Sequence, residues 1–158
     1  MALSLVLCSK ESENLMVTKA LSAQANNVNW LMTKFCTETP GVEHAIAVSS
    51  DGLLMAMSSN LDRASADKVS AIVTGMRSLA DGAARVLGKG SMQQVLVEMG
   101  NAYLFVSAIS GGSSLGVAAS KQCDLGLVGY EIAMLVQRVG SQLTPDLVAE
   151  LKSALTGL

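Results

Sequence analysis

The sequence predicts an α+β domain built on one five-stranded antiparallel sheet, with its elements in the order α-β-β-α-β-β-β-α. Three observations predict this class. The dipeptide Asp51-Gly52 separates two alternating apolar runs, which is the strongest short-range signal of a β-hairpin. A long segment with helical periodicity follows at residues 65–87, and three further strand-like runs come after it. Strands joined by hairpins, with a single helical crossover, form an antiparallel sheet.

The chain begins with a segment that carries little structural information. Residues 11–25 are compatible with a helix, but the pair Asn26-Asn27 interrupts the pattern. We therefore divide the chain into an N-terminal extension at residues 1–25 and one domain with a helical C-terminal tail at residues 26–158. One domain is what a chain of 158 residues normally forms.

The first helix of the domain is predicted from Asn27, which is a suitable N-cap residue. Val28, Leu31 and Phe35 recur at i, i+3 and i+7, so they share one helical face. Pro40 ends this helix, because proline cannot continue a helix and restricts the residue before it.

The hairpin strands are predicted at residues 45–49 and 53–58. A two-residue type I′ turn needs positive φ at both central residues, which Gly52 adopts freely and Asp51 better than most residues. We therefore expect a type I′ turn with Asp51 and Gly52 as its two central residues.

The long helix is predicted at residues 65–87, with Asp62 as its candidate N-cap. Gly88-Lys89-Gly90 ends it, since glycine is the usual residue just after a helix C-terminus. One apolar stripe is expected to face the core, made of Val69, Ile72, Met76, Leu79, Ala83 and Val86 or Leu87.

The last three strands are predicted at residues 92–99, 102–109 and 114–120, separated by turns that contain glycine. Asp124 caps the last main helix, whose core face is expected to carry Leu125, Val128, Ile132, Leu135 and Val139. Thr144-Pro145-Asp146 then opens a short terminal helix.

A second face of the long helix is lined by small residues at i, i+4, i+7 and i+11. They are Ala71, Gly75, Ser78 and Gly82. Each interior glycine costs about 1 kcal/mol relative to alanine, so its presence indicates that another backbone approaches closely. Either this helix packs on its own copy across a two-fold axis, with these residues as the dimer interface, or the small face lies flat on the sheet.

Charged residues occupy the remaining turns of the same helix, and we expect them to be exposed. They are Lys68, Arg77, Asp81 and Arg85. Each alone is typical of a solvated surface, but as a group beside a small-residue groove they are candidate contacts for a partner protein. We expect charge reversal at Arg77 to weaken partner binding without unfolding the domain.

Composition limits the classes of function. A net charge of −2 argues against nucleic-acid binding, which needs clustered Lys and Arg. No segment approaches the ~20 apolar residues of a membrane span, and three widely spaced cysteines favour the reducing cytoplasm. Only 15% of residues are charged, which indicates that a second chain covers part of the surface.

No pattern typical of catalysis or of metal binding is found in the sequence. Residues 88–91 resemble a phosphate loop superficially, but Ala83 and Gly90 stand where that motif needs Gly and Ser or Thr. His44 is the only histidine, which excludes multi-histidine metal sites and argues against a Ser-His-Asp triad. We therefore expect a protein that is not an enzyme and has no catalytic, cofactor-binding or metal-binding residues.

An ordered set of segments resembles the roadblock (dynein light chain) family. The segments are NNVNWLMTKF, PGVEHAIAVSSDGLLMAMS, ADKVSAIVTGMRSLADGAARVLG, VLVEMGNAYLFVSAI and CDLGLVGYEIAMLVQRVG. The similarity covers residues 26–140 and is closest to the bacterial branch related to MglB, found in actinobacteria beside small Ras-like GTPases.

The resemblance implies helices on both faces of the sheet and a homodimer. In that dimer the sheets join edge to edge and the long middle helices lie side by side. It also implies that the protein has no active site, binds a small Ras-like GTPase and modulates its nucleotide cycle, with stimulation of hydrolysis in some members. Lys68, Arg77 and Arg85 then become candidate contacts, and nothing identifies an arginine finger.

Two alternatives to a GTPase regulator stay open. One is a structural adaptor of the same fold that has no effect on GTP hydrolysis. The other is a small-molecule-sensing domain. The sequence argues against it, because no polar residues are predicted to converge on an apolar pocket.

Overall fold

The computed structural model describes residues 26–149 of the chain. The N-terminal extension predicted at residues 1–25 and the end of the helical tail at residues 150–158 lie outside the described residues. Within residues 26–149, no helix is long and apolar enough to cross a membrane.

The described residues form four α-helices, five strands and one short 3₁₀ helix at Ser110–Gly112. Helix α1 covers residues 26–38, and a last helix, α4, covers residues 145–149. Between them lie β1 (Val42–Val48), β2 (Leu54–Met57), α2 (Arg63–Val86), β3 (Gln94–Glu98), β4 (Ala102–Ala108), β5 (Ser114–Ser120) and α3 (Leu125–Gln142). The predicted class and element order are confirmed.

The strands form one antiparallel sheet in the order β2-β1-β5-β4-β3. Side chains alternate between its faces, as β1 illustrates. Ala45 and Ala47 belong to the core shared with α1 and α3, whereas Ile46 and Val48 belong to the core beneath α2. Helices therefore cover both faces, and β2 and β3 are the edge strands.

The helix ends follow the predicted capping chemistry. Asp62 Oδ2 accepts a hydrogen bond from Ser65 N (2.9 Å) at the start of α2. Asp124 Oδ1 accepts from the N–H groups of the first turn of α3 (2.9 and 3.1 Å). Gly88, with φ +63°, follows the end of α2, and its N–H donates to Arg85 O (3.1 Å).

The hairpin exists, but its predicted two-residue type I′ turn is wrong. Gly52 has φ +86°, whereas Asp51 does not have positive φ. Gly52 N–H donates to Ser49 O (3.1 Å) and Ser49 N–H donates to Leu53 O (2.9 Å), so the loop contains three residues and ends on a left-handed glycine. The Ser49 hydroxyl stabilises this loop, because it donates to Asp51 Oδ1 (2.8 Å) and accepts from Leu53 N (3.1 Å).

The predicted face of α1 is confirmed, but its predicted start is wrong. Val28, Leu31 and Phe35 are buried against the sheet. Residue 26 is already helical, so Asn27 is not the N-cap. The Asn27 side chain instead donates to Gln142 Oε1 at the end of α3 (3.1 Å).

The predicted core stripe of α2 is wrong in most of its residues. Val69 and Met76 are partly buried, but the remaining members lie outside the core: Ile72, Leu79, Ala83, Val86 and Leu87. The buried residues of α2 are Ala66, Ser70 and Val73. The helix is apolar on two sides, and the hydrophobic pattern alone did not separate the side facing the sheet from the side facing outward.

The core face of α3 largely agrees with the prediction. Four of the five residues are buried, namely Val128, Ile132, Leu135 and Val139. Leu125, in the first turn, is exposed. Thr144 Oγ1 accepts from Leu147 N (3.3 Å) at the start of α4, as predicted for the terminal helix.

Candidate interaction surface

The outward face of α2 carries the four small residues predicted for a dimer interface. Ala71 is exposed, and Gly75, Ser78 and Gly82 are at least partly exposed. Among the residues that the structure describes, a Cβ atom added at Gly75 or at Gly82 has no neighbour within 4 Å. The alternative in which this face lies flat on the sheet is therefore wrong, and the face is open to a second backbone.

Large apolar side chains flank these small residues. Ile72 is 53% exposed, Leu79 78% and Val86 87%. At the helical rotation of about 100° per residue, all three lie on one side of the small residues and far from the buried Val73. Exposed apolar residues grouped in this way are typical of an interaction site. We call this surface the α2 outer face.

Edge strand β3 lies open beside α2. Met99 N–H donates to Ala102 O (2.9 Å), so the odd-numbered residues of β3 hydrogen-bond to β4. The backbone groups that point away from the sheet then belong to Gln94, Leu96 and Glu98. The Leu96 side chain is also 47% exposed. Within residues 26–149 no strand pairs with this edge, so it presents a row of donors and acceptors that is a template for pairing with another strand.

The opposite edge, β2, is covered by α1. Asn29 Oδ1 accepts from Met57 N (2.9 Å), and Thr33 Oγ1 accepts from Ser59 N (3.1 Å). Both N–H groups point outward, because the intervening Ser58 N–H donates inward to Ala45 O. The two edges therefore differ, and β3 is the one left accessible.

Arg77 is largely buried, so the expectation that it is exposed is wrong. Its side chain is 19% exposed. Arg77 Nη1 donates to Gly112 O (2.6 Å), to Ser113 O and to Ser114 Oγ (3.1 Å). Through these hydrogen bonds the guanidinium holds α2 against the loop that precedes β5. From these contacts we now expect charge reversal at Arg77 to destabilise the fold, and its effect on partner binding stays a prediction.

Asp81 connects the same helix to the start of β3. Asp81 Oδ1 accepts from Met92 N (3.0 Å), and Oδ2 pairs with Arg77 Nε (3.4 Å). The hydrogen bond from Met92 N–H lowers the pKa of the Asp81 carboxyl below its usual range, and the Arg77 guanidinium lowers it further by a smaller amount. Arg77 and Asp81 thus position α2 relative to the segment leading into β3.

Lys68 and Arg85, the other two predicted contacts, are exposed. Lys68 lies near the N-terminal end of α2 and Arg85 near its C-terminal end, and the helical rotation of about 100° per residue places them on opposite flanks of the small residues. The structure thus separates the four charged residues into an inner pair, Arg77 and Asp81, and an outer pair, Lys68 and Arg85.

The thiols and the histidine do not assemble into a reactive site among the described residues. Within residues 26–149, no group of three or more His, Cys, Asp and Glu is arranged to hold a metal ion. Burial raises the pKa of the Cys36 thiol, which keeps it in its less reactive protonated form. His44 Nδ1 is buried without a hydrogen-bond partner in the described structure.

The open β3 edge was not recognised from the residues of this chain alone. Its signal is weak, because Gln94, Leu96 and Glu98 mix polar and apolar side chains. The alternation with Val95 and Val97 nevertheless indicates a strand with one half-buried face.

Comparison with known proteins relates this chain to a protein family and to solved structures. The family model described as Roadblock/LC7 domain matches residues 28–119. The crystal structure of a Roadblock/LC7 domain from Streptomyces avermitilis is 37% identical, with a TM-score of 0.70, covering 73% of this chain and 96% of that one. A comparison with curated proteins finds no match.

More distant solved structures share the fold. Myxococcus xanthus MglB is 15% identical with a TM-score of 0.67, covering 73% of this chain and 93% of that one. The gliding protein MglB from Thermus thermophilus is 17% identical with a TM-score of 0.66, covering 78% of this chain and 90% of that one.

Proposed function

Because the chain belongs to the Roadblock/LC7 family, we propose that it is a non-catalytic, cytoplasmic homodimer that binds a small Ras-like GTPase and modulates its nucleotide cycle. The observation that carries this proposal is the joint exposure of the α2 outer face and the β3 edge. The family match begins at residue 28, which supports the proposed boundary between the extension at residues 1–25 and the domain.

The spacing of the small residues on α2 is self-complementary. Ala71 and Gly82 are equidistant from the midpoint between Met76 and Arg77, and so are Gly75 and Ser78. An antiparallel pair of α2 helices with its two-fold axis at this midpoint places each small residue against a small residue of the other chain. A symmetric dimer requires this property of its interface.

The area exposed on α2 does not by itself supply a stable dimer. Full burial of an aliphatic side chain contributes about 2 kcal/mol, so the exposed fractions of Ile72, Leu79 and Val86 supply about 4 kcal/mol per chain. Twice this value is comparable with the cost of association, which is on the order of 4–15 kcal/mol. Strand pairing at β3 supplies the further stabilisation, so the proposal needs both surfaces.

The same pairing also concentrates charge. Lys68 and Arg85 lie 8.5 residues either side of the two-fold axis, so Lys68 of one chain lies at the same level along the helix pair as Arg85 of the partner subunit, on the opposite flank of the interface. Each end of the helix pair therefore carries a basic cluster of one lysine and one arginine. Such clusters suit an acidic face on a partner protein and increase the rate of encounter with it.

The dimer is tested by blocking the β3 edge. Leu96→Pro removes an N–H that points away from β4, so the proline costs no hydrogen bond within the chain. We expect light scattering on a sizing column to give twice 16.3 kDa for the unmodified chain and 16.3 kDa for this variant. Leu96→Ala, which keeps the N–H, should remain dimeric. A proline variant that is still dimeric and folded excludes pairing through β3.

The GTPase function is tested with small Ras-like GTPases encoded in the same genome, each loaded with GTP. We expect binding by the dimer, a changed rate of single-turnover hydrolysis or nucleotide release, and weaker binding by the double variant Lys68→Glu, Arg85→Glu. The matched control is the double variant Lys34→Glu, Arg138→Glu, which makes the same change of charge on α1 and α3, on the other face of the sheet, and should leave binding unchanged. Binding without a change in either rate favours the adaptor alternative, and no binding to any of these GTPases refutes the proposal.

A further inference from the structure

An apolar groove lies at the end of the molecule where the described residues begin and end. Its volume is 430 Å³, and α3, α4 and the loops before β2 and β5 line it. Leu143, Pro145 and Val148 contribute its apolar wall, and Ser110 lies on the opposite side. No described residue that lines it is charged.

Both termini of the described structure lie at this groove. Ala149, the last described residue, is part of its wall. Asn27, at the start of α1, hydrogen-bonds to Gln142, and a neighbouring cavity lined by Asn27 and Thr144 shares Thr144 with the groove. Whatever precedes residue 26 therefore leaves the domain beside the groove.

The chain outside the described residues contains a segment suited to such a groove. Residues 2–8, ALSLVLC, are uncharged and almost entirely apolar, and the charged residues of the extension come after them. The 17 residues from 9 to 25 span up to about 56 Å when extended, which is ample length to return to the groove. The C-terminal segment fits less well, because Glu150 and Lys152 follow directly after the last wall residue, whereas no described residue that lines the groove is charged.

We propose that residues 2–8 of the same chain occupy the groove between α3, α4 and the loop before β5. Covering the groove removes the apolar surface of Leu143, Pro145 and Val148 from water, together with that of the leucines at positions 3, 5 and 7. The extension is then an intramolecular arm of the domain. This inference does not depend on the proposed dimer or on a GTPase partner.

Cysteine cross-linking in the full chain tests the arm, because Cys8 ends the segment. Ser110→Cys places a thiol at the groove, and Asn101→Cys places a thiol that is also exposed beyond the other end of β4, about 30 Å away along the strand. Cys36 and Cys123 are changed to Ser in both variants, because Cys123 N–H donates to Ser120 O and Ser120 pairs with Ala102, which brings this native thiol near position 101. We expect a short bis-maleimide to join Cys8 to the thiol at position 110 at least about tenfold faster than to that at position 101, within one chain.

A second pair of variants separates docking from chance proximity. Leu5→Glu should reduce the rate at position 110 to that at position 101, because a charge is not tolerated in the groove. Lys10→Glu changes a residue outside the segment and should leave the preference intact. Equal rates at positions 110 and 101 in the unmodified arm, or cross-links formed only between two chains, overturn the proposal.

Discussion

The α2 outer face makes a sharp prediction about Gly75. In the separate chain, a Cβ at this position has no neighbour within 4 Å, so a larger side chain meets no steric obstacle. Replacing a helix-interior glycine by alanine or leucine stabilises the helix by about 1 kcal/mol. Gly75→Leu should therefore raise the stability of the monomer while it weakens the dimer.

The loss in the dimer follows from the two-fold symmetry. The substitution introduces one leucine from each chain at a close contact, and overpacking costs about 1–3 kcal/mol per site. Two sites give roughly 2–6 kcal/mol, and a dissociation constant rises tenfold for each 1.4 kcal/mol. We therefore expect the dimer dissociation constant to rise at least about 30-fold.

Sedimentation equilibrium over a range of concentrations measures this constant, and urea denaturation in the Leu96→Pro background measures the stability of the monomer. Gly129→Leu on α3 is the matched control, because a Cβ there also has no neighbour within 4 Å. It should leave the dissociation constant unchanged. An unchanged constant in Gly75→Leu refutes the placement of the interface on the small residues of α2.

Three further predictions concern the stability of the fold. Arg77→Met should lower the free energy of unfolding by about 2 kcal/mol, because it removes charge-assisted hydrogen bonds to carbonyl groups of the loop before β5. Urea denaturation of the folded monomer measures this change. The folded-state pKa values of Asp62 and Asp81 are lowered by the backbone N–H groups that they accept from. Their contribution to stability is therefore complete above about pH 4 and is lost as the pH falls through the folded-state values. Unfolding midpoints at pH 5 and pH 3 should differ less in the variant with both residues changed to Asn than in the unmodified chain. Gly41→Ala should destabilise the domain by more than 1 kcal/mol, about the cost of a left-handed conformation alone, because φ is +87° and the new Cβ would lie 2.6 Å from Cys123 Cβ. Thermal denaturation checks this, and an unchanged midpoint would show that the Gly41 turn relaxes without cost.

The local chemistry of the chain was sufficient to predict most helix and strand positions. Asp62 and Asp124 cap helices because their carboxylates accept from the first-turn N–H groups, which needs only nearby residues. Val28, Ile132 and Val139 were predicted to be buried because they recur at helical spacing on an apolar face. The resemblance of the ordered segments then added the family.

Prediction from local sequence patterns failed for the α2 helix. Both its sheet-facing side and its outward side are apolar, so the hydrophobic pattern predicted a core stripe that contains the exposed Leu79 and Val86. The buried residues of this helix instead include a serine, Ser70, whose hydroxyl donates to Ala66 O (2.8 Å) within the helix. The hydrophobic pattern therefore predicted the wrong face of α2 to be buried.

The sequence by itself determined which segments become helices and strands, their order and their family, because these depend on local periodicity, capping and turn chemistry. Only the tertiary structure decided the environment of the functional residues. Arg77 is largely buried because it hydrogen-bonds to the loop before β5, 35 residues away in sequence. The β2 edge is closed because Asn29 reaches Met57, while the β3 edge stays open. These outcomes depend on contacts between distant segments, which no local pattern records.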